Sequence, residues 1–327
     1  MRTIRLGKTE LQVSALSLGT WSHGGPNQVG TRPVGWSDFN EAEALESLRA
    51  AHRSGIRHWD TADVYGNGKS EERIGKILKE IPREDIVLAS KVGWDPGPHK
   101  HFYEGKWVRA QVEASLKRLG VDHMEIYYMH HCNFGKNDER LDEVMELMHR
   151  FKEEGKIRFI GLSDWDAKAI SRVIRRVEPD VVQPYRCMLY DCLSHTPLRE
   201  AITELDAGLA FFSPLRHGLL LGKYDEPTSF GEGDFRTNVE SFKDDEVLKG
   251  VKEKALALQN RFGAETTHVI RALTGVLLDD ASGACALVGM RNPAQVEAAM
   301  KAGEGVSSEE AQWIRELYSD CPGKSEV

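Results

Sequence analysis

Ile86-Val87-Leu88-Ala89-Ser90-Lys91-Val92 decides the fold. The run is apolar, of strand length, and carries a cation just before Gly93, so it reads as a strand. An amphipathic stretch over residues 107–119 follows, with Gly120 placed to cap it as a helix. A second apolar run, 124–130, comes next. Strand, helix and strand in that order make a parallel βαβ unit.

The alternation extends both ways from this unit. Before it stand a strand at 56–60 with a helix at 70–79, and a strand at 15–18 with a Gly-rich loop and a helix at 40–52. After it come a helix at 141–154, then strand–helix pairs at 158–162 and 167–177, and at 181–184 and 198–207. A strand at 209–212 leads through a long loop to helices at 244–260 and 266–278. The last pair is 286–289 and 293–302, followed by an amphipathic segment at 308–318. Two further runs, 3–6 and 11–14, flank Gly7-Lys8-Thr9 as a hairpin. The fold predicted is α/β: a (β/α)8 TIM barrel occupying residues 1–327 as one domain, with an N-terminal β-hairpin and a C-terminal helix. The rival is a doubly wound open sheet, which would carry a G-x-G-x-x-G turn after its first strand to bind a dinucleotide; none stands there.

Composition narrows the partners. The 327 residues are 40% hydrophobic and 29% charged, the balance of a globular chain with a large core. A net charge of -8 argues against a nucleic-acid surface and for a small-molecule partner. No apolar stretch is long enough to span a bilayer, and the N-terminus lacks a signal core, so the expected location is cytoplasmic. The five cysteines are scattered, which fits reduced thiols. Cys187 and Cys192 could join His195 on a metal, but no second pair completes a tetrahedral site, and no metal is expected. A homo-oligomer is left open.

A barrel's functional loops lie at the C-terminal ends of its strands. There the sequence places Asp60, Lys91, His130, Ser163-Asp164, Gln183 and Ser213, with Asp63 and Tyr65 just beyond Asp60. Lys91 ends an apolar run and needs a partner, which Asp60 on the neighbouring strand can supply. An ammonium beside a phenol favours the phenolate, so Lys91 is expected to lower the pKa of Tyr65 and make it a general acid. His130 could steady the same carbonyl oxygen. With no strong protein nucleophile evident, hydride from a nicotinamide fits the chemistry. Duller readings stand beside these: a structural Asp60–Lys91 pair, a packed loop tyrosine, a core histidine.

The motifs Asp60-Thr61-Ala62-Asp63-Val64-Tyr65-Gly66, Gly75, Ser90-Lys91-Val92-Gly93 and Ile126-Tyr127-Tyr128-Met129-His130 resemble the aldo-keto reductase superfamily. Gly155-Lys156-Ile157-Arg158, Gly161-Leu162-Ser163, Ser213-Pro214-Leu215, Gly218-Leu219-Leu220, Gly222-Lys223-Tyr224 and Gly289-x-Arg291-Asn292-Pro293-x-Gln295 extend the likeness over nearly the whole chain. The branch resembled contains general-stress reductases and potassium-channel β subunits. The resemblance implies a barrel that binds NADP(H), with NAD(H) an open alternative, and reversible reduction of aldehydes or ketones. It implies Tyr65 as acid, Lys91 and Asp60 as its tuners and His130 as the group orienting the carbonyl. Ser163, Asp164 and Gln183 would hold the carboxamide, with Thr20, Trp21 and Asp60 near the ribose and substrate. Ser213, Pro214, Leu215 and Lys223 would line the pyrophosphate, with Arg216 and His217 at neighbouring contact positions. Gly289, Arg291 and Gln295 would face the adenosine end. Independently of the likeness, the cations of Lys223 and Arg291 suit a dinucleotide's phosphates, though surface solvation explains either as well.

Three departures from the family pattern stand out. Asp164 stands for the usual asparagine, losing an amide donor. Ala298 and Ala299 stand where glutamate and asparagine usually meet the adenine, and Arg216-His217 replaces a pair usually small or singly basic. Trp21, Trp94 and Trp165 follow strands one, three and five and could wall a substrate pocket that also holds Tyr65 and His130; plain packing serves equally. Residues 225–243 read as a mobile loop able to fold over cofactor. Two functions follow: an NADP(H)-dependent oxidoreductase of carbonyl and alcohol groups, sugar or aromatic carbonyls among them, or an NADP(H)-binding regulatory subunit.

Overall fold

In the computed structural model, which describes residues 2–281 and 283–323, eight strands close into a barrel. In chain order they are Leu16–Gly19, His58–Asp60, Val87–Val92, Met124–Met129, Ile157–Asp164, Val181–Pro184, Gly208–Phe212 and Ala284–Gly289. Each is parallel to its sequence neighbours, and the eighth pairs back onto the first from Ala286↔Leu16 to Gly289↔Gly19. The barrel is therefore a (β/α)8 TIM barrel, and the open sheet is excluded because no strand of it is left at an edge.

The crossover helices form for legible reasons. Ala167–Val177 starts at Asp166, whose side chain accepts from Lys168 N, and ends at Glu178 in the left-handed region. It buries Ile170, Val173, Ile174 and Val177, a helical stripe turned to the sheet. The C-terminal helix Ser308–Leu317 begins with a Ser307/Glu310 capping box. The hairpin strands Thr3–Arg5 and Gln12–Ser14 pair antiparallel, bury Ile4 and Val13, and lead into Leu6, also buried. Gly7 is pressed onto strand seven there: a Cβ on it would lie 2.2 Å from Gly208 N.

Register sets the site. Asp60 lies opposite Ala89, so Lys91, two residues on, projects from the same face toward the barrel interior. Lys91 in turn lies opposite Tyr128, and Tyr128 opposite Gly161. A Cβ at Gly161 would come within 2.1 Å of the Tyr128 ring, so glycine is what lets that ring lie across strand five.

The chief departures from the sequence reading lie in the loops. A two-stranded ribbon, Gln28–Val29 with Arg32–Pro33, precedes the first helix. Residues 225–243 carry two 3-10 turns, Phe235–Asn238 and Glu240–Phe242, folded down over the barrel mouth. Asp234 anchors them, accepting from Ser37 N at 2.8 Å, Ser37 Oγ at 2.7 Å and Arg236 Nη2 at 2.7 Å. Neither feature has an apolar period, so hydrophobic patterning could not reveal it.

Candidate active site

At the C-terminal end of the barrel, Lys91 and Asp60 form a buried ion pair with side chains 1% and 4% exposed. The ammonium also donates to Thr61 O at 2.8 Å and reaches Tyr65 Oη at 3.4 Å. Gln183 Nε2 donates to the other Asp60 oxygen at 2.8 Å. His130 is held by its backbone, N to Val92 O at 2.8 Å, and its ring lies 5.8 Å from that of Tyr65. His130 Nδ1 is buried without a hydrogen-bond partner among the described residues. Tyr65 is aimed by a close backbone crossing. Gly66, with φ +64°, lies where a Cβ would be 2.2 Å from Gly24 O, and Gly24 where one would be 2.5 Å from Gly66 N.

The electrostatics correct one expectation. Burial, followed by the charges of Asp60 and Asp63, raises the Tyr65 phenol well above its ordinary value. Burial outweighs any help from Lys91, whose own pKa burial lowers while Asp60 raises it. Tyr65 thus holds its proton at neutral pH, the form a proton donor requires. Burial, then Lys91 and His131, push His130 well below the usual imidazole range, so it is neutral.

Two spaces meet at Tyr65. A cleft of ≈ 500 Å³ runs from Asp60 and Tyr65 past Thr20, Trp21 and Ser22, along Ser213, Pro214, Leu215 and His217, past Lys223, to Gly289, Arg291 and Gln295. A small chamber of ≈ 20 Å³ is bounded by Trp21, Tyr65, Trp94, His130, Ser163, Trp165, Gln183 and Phe212. Trp21 borders both, lying nearly parallel to Tyr65 at 5.8 Å and 6.0 Å from both Trp94 and Trp165. At the far end of the cleft Arg291 Nη1 is buried without a partner among the described residues. Burial and the like charge of Arg236 both disfavour its ionised form, so an anion there would be stabilised. A cavity of ≈ 570 Å³ opens at the opposite end of the barrel, but its charges are already paired, Arg5 with Asp206 and Arg199 with Asp280.

The family model for the Aldo/keto reductase family matches residues 15–319. The chain belongs to the aldo-keto reductase family. It is 31% identical to an NADH-specific methylglyoxal reductase of Escherichia coli over 76% of this chain and 77% of that one. It is 30% identical to the aldo-keto reductase YhdN of Bacillus subtilis, over 91% and 87%. To a probable voltage-gated potassium channel subunit beta of Arabidopsis thaliana it is 31% identical, over 77% and 76%. Its fold matches a glycerol dehydrogenase structure from Gluconobacter oxydans at TM-score 0.76 and 24% identity, over 99% of this chain and 97% of the other. As an aldo-keto reductase the chain is an oxidoreductase of carbonyl and alcohol groups, of a family that binds a nicotinamide cofactor. No helix among the described residues is long and apolar enough to cross a membrane.

Within this aldo-keto reductase, the structure gathers most of the residues singled out in the sequence. Those attributed to the ribose, pyrophosphate and adenosine line the cleft, and Ser163, Gln183, Trp94 and His130 line the chamber. Two residues turn elsewhere. Arg216 directs its guanidinium to Gly323 O and Ser241 Oγ, tying Gly323 to the folded-down segment instead of lining the cleft. The Asp164 carboxylate accepts from Cys132 N at 2.6 Å and Asp166 N at 2.9 Å and lines neither space. Ala298 lines the cleft but Ala299 is packed in the core, so only the first bears on the adenosine end. Residues not foreseen are Phe212, whose ring borders both spaces, with Ser22, Trp36, Arg236 and Asn292 along the cleft. Phe212 was open to discovery as the last strand residue before Ser213. Arg236 was not, since it reaches the cleft only through the fold of its segment. Among the described residues no three metal-ligating side chains stand together. Cys187 Sγ instead lies 3.5 Å from Tyr185 Oη.

Proposed function

We propose that the chain is an NADP(H)-dependent reductase of aldehydes and ketones, acting in reverse as an alcohol dehydrogenase, with Tyr65 as the general acid. The observation that carries this reading is the placement of the Tyr65 hydroxyl at the junction of cleft and chamber, 3.4 Å from a Lys91 ammonium locked by Asp60. A bound nicotinamide would supply the hydride. Tyr65 gives its proton to the carbonyl oxygen, and the neutral His130 ring beside it fixes that oxygen's position. Lys91 shares its charge with the phenolate left behind, and Asp60 holds Lys91 in place.

The residues suit the cofactor. Gln183 spends its amide N–H on Asp60, leaving its carbonyl oxygen, with Ser163, for a carboxamide. Phe212 offers a flat apolar face to a ring. The unpartnered Arg291 Nη1 suits a 2′-phosphate and is the reason for preferring NADP(H). The tryptophan walls suit sugar or aromatic carbonyls. Five free, buried cysteines fit a reducing, cytoplasmic setting.

A panel of aldehydes, ketones and ketosugars followed by NADPH and NADH absorbance tests the reading. Steady oxidation of NADPH, faster than of NADH, is expected. Tight NADPH binding without turnover, together with a stable complex with another protein, would instead mark a regulatory subunit like the channel β subunit relative.

A further inference from the structure

His130 is unusual for a group meant to fix a substrate atom, because no hydrogen bond orients its ring through Nδ1 among the described residues. A functional imidazole is ordinarily set by the bond its other nitrogen makes. Here rings set it instead. The His131 ring stacks on it at 5.2 Å and 10°, and Trp94 meets both histidines edge-on at 5.0 and 4.9 Å. The orientation of His130 therefore depends on what holds His131 and the residue after it.

The fifth βα unit holds them. Asp164, at the end of strand five, accepts from Cys132 N at 2.6 Å, and its Oδ2 lies 3.9 Å from His131 Nδ1. Arg172, on the helix Ala167–Val177, donates to Cys132 O at 2.7 Å while pairing with Asp138. Cys132 Sγ contacts Ser163 O at 3.6 Å, and Cys132 is 1% exposed. From the third unit, Tyr103 Oη donates to His131 O and accepts from His131 N at 3.2 Å. The Cys132 peptide is thus gripped at its N–H and its C=O by one neighbouring unit.

The carboxylate at 164 has a specific reason. It accepts from two backbone N–H groups at once, those of Cys132 and Asp166. An asparagine has one acceptor oxygen, so its NH2 would face one of those donors. An acid suits this loop bridge where an amide would suit a cofactor.

We propose that Asp164 and Arg172 are positioning residues for His130, clamping the Cys132 peptide so that His131 presents the imidazole to the substrate oxygen, and that Asp164 is not a cofactor ligand. This rests on the role given to His130 under the proposed function. The test compares Asp164→Asn and Arg172→Met in the full chain, using a carbonyl compound that the unaltered protein turns over. We expect kcat to fall about tenfold in the first and about threefold in the second, since small misplacements of an orienting group cost rate steeply. The Kd for NADPH, from tryptophan fluorescence, should stay within about twofold, because neither side chain lines the cleft. The His130 ring resonances should shift in both variants. Unchanged kcat with tighter NADPH binding in Asp164→Asn would overturn the proposal, as would unmoved His130 resonances. Should Asp164→Asn not fold, Arg172→Met, whose side chain is 46% exposed, decides alone. A protein that reduces no carbonyl would refute the function, and the ring resonances would still judge the clamp.

Discussion

Replacing Lys91 with methionine gives the most quantitative perturbation of the site. The ammonium lies in an almost sealed setting, donating to Asp60 and Thr61 O and reaching Tyr65 Oη. Methionine nearly preserves the volume, so the cavity contribution is small. What remains is a buried Asp60 carboxylate supported, among the described residues, by Gln183 Nε2 alone. Breaking a buried pair from one side costs about 3–5 kcal/mol, because the surviving charge is left uncompensated. Asp60→Asn added to Lys91→Met removes that charge while Gln183 can still donate to the amide oxygen, so the double variant should recover about 2–4 kcal/mol. Equilibrium urea unfolding, followed by fluorescence and circular dichroism together, measures both values. A single variant within about 1 kcal/mol of the parent, or a double variant less stable than the single, would refute this account of the pair.

Arg291→Ala should weaken NADPH binding about tenfold or more and NADH binding far less, as loss of a charge-assisted phosphate contact requires; equal losses by titration would remove that role. The rate of carbonyl reduction should show no acid limb near pH 6.5, because His130 is held neutral well below that value. On the alkaline side the rate should fall as Lys91, lowered from 10.5 by burial, gives up its proton, before Tyr65, raised above 10.0, does so. A pH–rate profile with a limb at pH 6.5 would contradict the first part, and an alkaline limb unaltered by Lys91→Met the second. Gly66→Ala strains a φ of +64° and drives a methyl group into the Gly24 carbonyl. It should cost about 1–3 kcal/mol in unfolding experiments and reduce turnover by displacing Tyr65.

The barrel was legible because its evidence is periodic. Each strand is a short apolar run, each helix an amphipathic one, and the spacing between them admits few other topologies. The pairing of Asp60 with Lys91 was equally open to reading, since adjacent parallel strands bring their C-terminal ends together. The roof of the cleft was not. Trp36 and Arg236 reach it through the Asp234–Ser37 bonds, which join residues far apart in sequence and follow no period. The directions of Arg216 and Asp164 were hidden for a related reason. A residue's type and its place after a strand do not disclose whether its side chain faces the ligand space or the neighbouring loop. The acidity of Tyr65 was misjudged because the sequence displays the charge of Lys91 but not how completely the phenol is buried.

Tyr65→Phe tests the central claim most directly. The substitution removes one hydroxyl, leaves Lys91 bonded to Asp60 and Thr61 O, and preserves the stack on Trp21. If Tyr65 is the proton donor, carbonyl turnover measured at the nicotinamide absorbance falls by about 10²–10⁴, while NADPH binding by tryptophan fluorescence changes by no more than about threefold. Turnover within about tenfold of the parent, with cofactor still bound, would show that another group delivers the proton.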